Sequence, residues 1–228
     1  MVMPFVEGRE AIIEAGGEDL KLCFQCGACS ATCPWNMVRS FPVRRLFYEA
    51  RLGIVELGNE ATWLCTTCGA CVTRCPRGVN LINIMKAMRR ISASTRMMPQ
   101  SLRVGIANVS GVGNPLGQAR EERPNWAEGL NVKTYTSKTE WLLFPCCYNC
   151  YEPRIKQTAL SLVNILNKAN IDFGILPGSE NCCGEGIGTT GDEKLFQSLV
   201  RGNLQLFAEA GVKNILTISP HCYHAFKN

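Results

Sequence analysis

The sequence predicts an α+β chain: a helical, cysteine-bound first third, then an α/β module built on a small parallel sheet. Three observations predict it. A cysteine run followed by a helical segment occurs twice before residue 95. Short apolar strands alternate with long amphipathic helices after residue 138. Between these regions the regular periodicity fades and prolines and glycines accumulate. The expected division is therefore a helical domain over 1–94, a linker over 95–138 and an α/β module over 139–228.

Each element has a local reason. Residues 1–19 place apolar and acidic side chains at helical spacing, which predicts a leading helix. Cysteine-rich segments follow at 23–33 and 65–75. Between them Val43 to Leu52 is predicted helical, with Pro42 at its start and Gly53 at its end. Leu81 to Ile91 sets Leu81, Ile84, Met85 and Met88 on one face, so a helix closes the domain. In 95–138, Pro99, Pro115 and Pro124 interrupt any long element, leaving ordered pieces such as Leu102 to Ala107. The Gly111 to Gly117 stretch has no helix opening behind it, which removes a phosphate loop from consideration. Beyond it, Trp141 to Phe144, Ile171 to Leu176 and Asn214 to Ile218 are predicted strands. Pro153 to Ala169 and Asp192 to Ala210 are the helices between them, and a last helix is expected around Ala225. Strands joined by helices of this length make a parallel sheet with right-handed crossovers.

Composition narrows the chemistry. Fourteen cysteines in 228 residues is the abnormal feature. The opening residues mix Glu7, Arg9, Glu10 and Glu14 among apolar ones, unlike a secretory leader. No apolar run approaches the roughly 18–20 residues that cross a bilayer. A reducing, cytoplasmic setting is expected, with the cysteines serving metal rather than disulfides. The formal charge of +5 overstates basicity, because metal-bound thiolates carry negative charge that the count ignores. The arginine groups Arg44, Arg45, Arg51 and Arg89, Arg90, Arg96 are expected as solvated helix faces. No nucleic-acid partner is expected.

Cys23, Cys26, Cys29 and Cys33-Pro34 form C-x2-C-x2-C-x3-C-P, and Cys65, Cys68, Cys71 and Cys75-Pro76 repeat it. Two-residue gaps wrap a tight loop around an inorganic cube, and Gly27 and Gly69 fall at matching places where the chain passes close to it. In two-cluster ferredoxins the fourth cysteine of each run ligates the other cube. This assigns Cys23, Cys26, Cys29 and Cys75 to one [4Fe–4S] cluster and Cys65, Cys68, Cys71 and Cys33 to the second. Structural zinc also uses C-x2-C pairs, but it takes four ligands and does not call for a third cysteine two residues on, nor for C-P. A pair of such clusters in one small domain is a wire, since neither leaves an iron open to substrate.

Six cysteines remain: Cys146, Cys147, Cys150, Cys182, Cys183 and Cys222. Each group follows one predicted strand, and ligands gather at the carboxyl edge of a parallel sheet. A further metal centre is expected there, iron–sulfur by analogy with its neighbours. Here the sequence resembles the heterodisulfide reductase catalytic subunit and its relatives. Cys182-Cys183-Gly184 matches their CCG signature, Cys147 precedes it at the family's interval, and Ser219-Pro-His-Cys222 stands at the family's CxxC position. Tyr151-Glu-Pro-Arg154, Gly191-Asp-Glu193, Cys222-Tyr-His224, Gly113-Asn-Pro115, Glu122-Arg123 and Trp126-Ala127 also look like the family. Fused relatives place a two-cubane domain before such modules. They include membrane-linked heterodisulfide reductases, subunits of sulfate-reducer complexes, and iron–sulfur subunits of glycolate, lactate or glycerol-3-phosphate oxidation.

The resemblance implies a third, noncubane cluster on Cys147, Cys182, Cys183 and Cys222, with Cys146 or Cys150 as additional ligands. It also implies electron relay within an oxidoreductase complex acting on a thiol/disulfide couple, rather than an enzyme complete in this chain. The alternative is an iron–sulfur subunit of a flavin-dependent hydroxy-acid dehydrogenase that passes electrons to quinone. Partners implied are a membrane cytochrome b or quinone-linked subunit, a flavoprotein or a hydrogenase-type module. Contact with the inner face of the membrane would come only through them. Ser219 in place of the first CxxC cysteine and a single CCG module are the two departures. A second module would come from another chain, unless the sequence is a truncated form of a longer one. His221 and His224 are expected to serve the helix start rather than the metal.

Overall fold

The computed structural model describes residues 4–176, 178 and 180–227. Met1 to Met3 of the predicted leading helix, and Pro177, Ser179 and Asn228 of the predicted module, lie outside the described residues. The chain divides into two compact units. The first runs to Pro99 and takes in Thr189–Asp192; the second holds Gln100–Gly188 and continues from Glu193.

Among the described residues the first unit contains helices and no strand. Helix α1 is Val6–Glu14, and a 3-10 turn at Glu18–Leu22 leads into the first cysteine run. That run contains the short α2, Ala28–Thr32, and ends in a 3-10 turn at Pro34–Met37. Helix α3 is Val43–Leu52, with the predicted ends. Helix α4, Glu60–Leu64, starts where the Asn59 side chain accepts from the Ala61 N–H, an N-cap that satisfies one of the orphan donors. The second run holds α5, Ala70–Thr73, and α6 follows at Leu81–Ser94, one turn longer than predicted. The buried core comes from the apolar stripes of α3 and α6: Leu46, Phe47, Ile84, Met85 and Met88 are each 3% exposed or less. Cys23, Cys29, Cys33, Cys65, Cys71 and Cys75 pack against that core, so its outer wall is made of thiols.

Helix α7, Gln100–Val112, opens the second unit and contains the ordered piece expected at Leu102 to Ala107. The rest of 95–138 is more than a connection. A 3-10 segment at Arg120–Ala127 buries Arg123 and Trp126, and strand β1, Lys133–Thr134, joins the sheet. Strands β2, Trp141–Leu143, β3, Phe173–Ile175, and β4, Ile215–Leu216, are the cores of the three predicted strands. Helices α8, Cys147–Tyr151, and α9, Pro153–Lys168, link β2 to β3. Helices α10, Glu185–Thr190, and α11, Glu193–Ala210, lie between β3 and β4, and α12, Pro220–Lys227, follows. All pairings are parallel, in the order β1-β3-β2-β4, with Leu142 opposite both Gly174 and Ile215. The central strand β2 is therefore covered on both faces, which is why Leu142, Leu143 and Phe144 form an unbroken apolar run, each at most 1% exposed.

Candidate metal centres

In the first unit two cavities each gather four thiols. One is lined by Cys33, Cys65, Cys68 and Cys71, and the other by Cys23, Cys26, Cys29 and Cys75. The backbone repeats itself around them. Gln25 and Thr67, each just before the second cysteine of its run, have φ of 66° and 54°, values rare for residues with a side chain. Gly27 and Gly69, just after it, have φ of 87° and 81°. Such strain persists where surrounding structure over-determines it, as at a ligand clamp. It turns the loop inward, so that the Gln25 Nε2 donates to Cys23 Sγ at 3.2 Å and the Thr67 N–H to Cys65 Sγ at 3.4 Å.

Two arginines tie the loops to the helices that follow them. Arg51, at the end of α3, donates to the Cys23 carbonyl, and Arg89, on α6, donates to the carbonyls of Thr62 and Cys65 at 2.9 and 2.6 Å. Arg89 is 3% exposed, and Arg90 reaches the Ala15 carbonyl at 2.7 Å, so this pair is a clamp and not the solvated face expected of it. Trp35 supplies an unspent donor. It lines the Cys33 cavity, and its buried Nε1–H has no partner among the described residues. An N–H directed at an inorganic sulfide suits that position. Trp35→Phe is expected to shift the reduction potential of this cluster negative by roughly 40 mV with iron content unchanged. That is a hydrogen bond of about 1 kcal/mol at about 59 mV per factor of ten. Electron paramagnetic resonance during a redox titration reads it.

The free thiols are poor ligands until metal arrives. Burial pushes the Cys71 thiol up to about 11 and the Cys150 thiol up to about 12. Metal binding must displace these protons, so loading and folding are coupled. Among the described residues no three His, Cys, Asp or Glu side chains stand close enough to share a single ion. The thiols ring cavities instead, an arrangement suited to a cluster whose thiolates bind separate irons.

In the second unit the sheet edge gathers five of the six remaining thiols. Cys146 caps α8 and Cys147 opens it, directly beyond β2. Cys147 neighbours Cys182, Cys182 neighbours Cys183, Cys183 neighbours Cys222 and Cys222 neighbours Cys146, so the five side chains form a continuous string. Ser219 lies beside both Cys146 and Cys222, so the residue at the CxxC position still belongs to the group. Cys150 is absent from this string and packs into the apolar cluster with Val163 and Phe173. His221 is exposed and pairs with Glu185 at 3.1 Å.

The residues beside the string are placed by interactions that leave little mark on the sequence. Asn203 on α11, 3% exposed, donates to the Cys182 carbonyl at 3.1 Å and accepts from the Asn181 N–H at 3.1 Å. On the other side the Cys182 N–H donates to the Gly113 carbonyl at 2.8 Å. Asn114 folds that turn around its own side chain, accepting from Leu116 and Gln118 and donating to the Gln118 carbonyl. The Gly-Asn-Pro segment thus holds the paired cysteines in place. Gly184 has φ of 82°, and a Cβ there would lie 3.0 Å from Phe196 Cδ2. Gly184→Ala is expected to cost about 1–3 kcal/mol, seen as a lower unfolding midpoint in denaturant for the second unit alone.

Comparison with known families matches both halves. A 4Fe-4S dicluster domain covers residues 19–79 and a cysteine-rich domain, CCG, covers residues 141–227. The chain thus joins a 4Fe-4S dicluster domain to a cysteine-rich CCG domain. Its first domain carries two [4Fe–4S] clusters. It is similar to the EtfAB:quinone oxidoreductase of Syntrophomonas wolfei, 34% identical over 58% of this chain and 19% of that protein. It is also similar to the probable iron–sulfur-binding oxidoreductase FadF of Bacillus subtilis, 31% identical over 64% of this chain and 22% of the relative. A probable membrane-anchored ferredoxin of Chromohalobacter salexigens is 31% identical over 54% of the chain and 18% of its own length. The matched stretch thus spans about a fifth of each of these relatives. Among the described residues no helix is long and apolar enough to cross a membrane.

Proposed function

We propose that this chain is the electron-relay part of a heterodisulfide-reductase-like oxidoreductase, carrying electrons between its two cubanes and a third iron–sulfur centre at the sheet edge. The observation that carries the proposal is the gathering of five neighbouring thiols with Ser219 at the carboxyl ends of parallel strands. Cys23, Cys26, Cys29 and Cys75 would hold one cubane and Cys65, Cys68, Cys71 and Cys33 the other, as the lining of the two cavities supports. Cys147, Cys182, Cys183 and Cys222 would hold the third centre, with Cys146 as the further ligand in place of Cys150. When bound, that centre would supply an iron site able to take up sulfur from a thiol/disulfide couple. The chain itself contributes the thiolates, of which Cys147, Cys183 and Cys222 are buried, and the Ser219 hydroxyl.

The deciding experiment is iron analysis of anaerobically reconstituted protein. More than eight iron atoms per chain and a resonance unlike either cubane are expected, since each cubane accounts for four irons. Iron near eight, with cubane signals alone, overturns the third centre. Conversion of Cys182 and Cys183 together to Ser is expected to return the iron to about eight without touching the cubane signals.

A second reading makes the chain an iron–sulfur subunit that serves a flavin-dependent hydroxy-acid dehydrogenase and passes electrons to quinone. The name of the Syntrophomonas wolfei relative, a quinone oxidoreductase, supports it. Partners on either reading are redox subunits: a flavoprotein, a quinone-linked or cytochrome b subunit, a hydrogenase-type module, or a chain carrying a second CCG module. A reducing cytoplasmic compartment, with membrane contact made through such a partner, completes the proposal. Turnover of a thiol–disulfide pair with an artificial donor favours the first reading; oxidation by a quinone analogue without that turnover favours the second.

A further inference from the structure

The second unit buries a complete ion pair beside its thiols. Arg123 and Glu180 have side chains only 2% exposed, and Arg123 Nε donates to Glu180 Oε2 at 3.1 Å. Taking both charges out of water costs several kcal/mol per ion, and an apolar pair of equal volume often serves stability as well. The placement of the guanidinium gives it another use. Its Nη2 donates to the Pro145 carbonyl at 3.0 Å, which fixes the residue just before Cys146, and Nη1 points to Cys147 Sγ at 3.5 Å. Its carbon lies 5.5 Å from the centroid of the Phe144 ring, so the fork is held from below as well. Glu180 is not fully engaged in return. Its Oε1 is buried with no partner among the described residues, so the carboxylate is tied to the arginine by one oxygen only.

We infer that Arg123 is a positioning residue that orients Cys147 and sets the reduction potential of the sheet-edge centre, with Glu180 as the opposing charge that trims its effect. The inference rests on the third-centre reading above. A cation donating to a ligand sulfur stabilises the more negative, reduced state, and a nearby carboxylate does the reverse. In a water-poor interior both effects reach further than they do at a surface. The two charges therefore push in opposite directions, and that opposition separates an electrostatic role from a purely structural one.

The test uses the full chain, reconstituted without oxygen, with the two cubanes as internal references in each sample. In Arg123→Met the potential of the sheet-edge signal is expected to move negative. Measured at pH 8 or above, where the Glu180 carboxyl, raised to about 7 by burial, is still ionised, Glu180→Gln is expected to move it positive, and Arg123→Lys, which keeps the charge, to leave it nearer the wild-type value than Arg123→Met does. The cubane potentials stay fixed in all three. Potentials unchanged in both neutralising variants, or shifted in the same direction, overturn the inference while leaving the centre itself in place. If Arg123→Met does not retain the sheet-edge iron, Glu180→Gln decides alone: a positive shift supports the inference and an unchanged potential overturns it. A wild-type chain that shows no such signal overturns the centre and the inference together.

Discussion

Chelating the iron from the purified chain is expected to unfold its first unit while the second unit keeps its sheet. The reason lies in what holds the cysteine loops. Helices α2 and α5 are five and four residues long, far below the length at which a helix is stable by itself. Gln25 and Thr67 sit in left-handed backbone that opposes the loop shape when nothing demands it. The apolar side chains of α3 and α6 pack against thiols on their outer side, so releasing those thiols from the clusters loosens one wall of the core. A structural metal such as zinc contributes about 10–16 kcal/mol to a small fold, against about 5–15 kcal/mol of net stability for a domain. Hydrogen exchange is the measurement. Amides of α3 and α6 should lose their protection entirely in the stripped protein, and those of β2 should retain it. Protection of α3 that survives chelation would show that the first unit stands without its clusters.

The second large effect is expected at Phe144. It is fully buried at the end of the central strand and meets Phe226 and Phe207 edge to face, with ring centroids 4.8 and 6.1 Å away. Truncation to Ala removes a large apolar side chain and two aromatic contacts, and α12 loses the ring that Phe226 packs against. A cost of about 3–5 kcal/mol to the second unit follows. Denaturant titration should show the second unit's transition at a lower midpoint with the cubane absorbance unmoved. A loss below about 1 kcal/mol would mean that the neighbouring rings close over the gap.

How much of this the sequence discloses depends on the span of the interaction. The ferredoxin runs are legible because their spacing is itself the shape of a loop around a cube, and both ends of α3 are written in Pro42 and Gly53. The strands are legible as apolar runs between helices, although only their central two or three residues are paired. Strand β1 is not: Lys133 and Thr134 are exposed and polar, and only their pairing with Gly174 and Ile175 makes them a strand. Residues 95–138 suggest a linker because their prolines and glycines erase periodicity. Their buried members, Arg123 and Trp126, are held by partners far away in sequence. Cys146 and Cys150 are equivalent candidates by spacing. The strand end separates them, leaving Cys146 at the sheet edge and turning Cys150 into the core. Asn203 lies in the middle of an amphipathic helix, where nothing local marks it as the clamp on Cys182.

The walls of the two cavities also bear on how the protein is made. Each cavity draws cysteines from both loops: Cys75 closes the one that begins at Cys23, and Cys33 waits for Cys65 to Cys71. A chain emerging from the ribosome presents Cys23, Cys26 and Cys29 first, as an open cup with one side missing. Neither cavity can be walled until the second loop is out and Leu81 has come to rest against it, with Met85 joining it at the Cys33 cavity. Cluster delivery is thereby tied to a late moment in synthesis, after which the first half of the domain and the second are acquired as one.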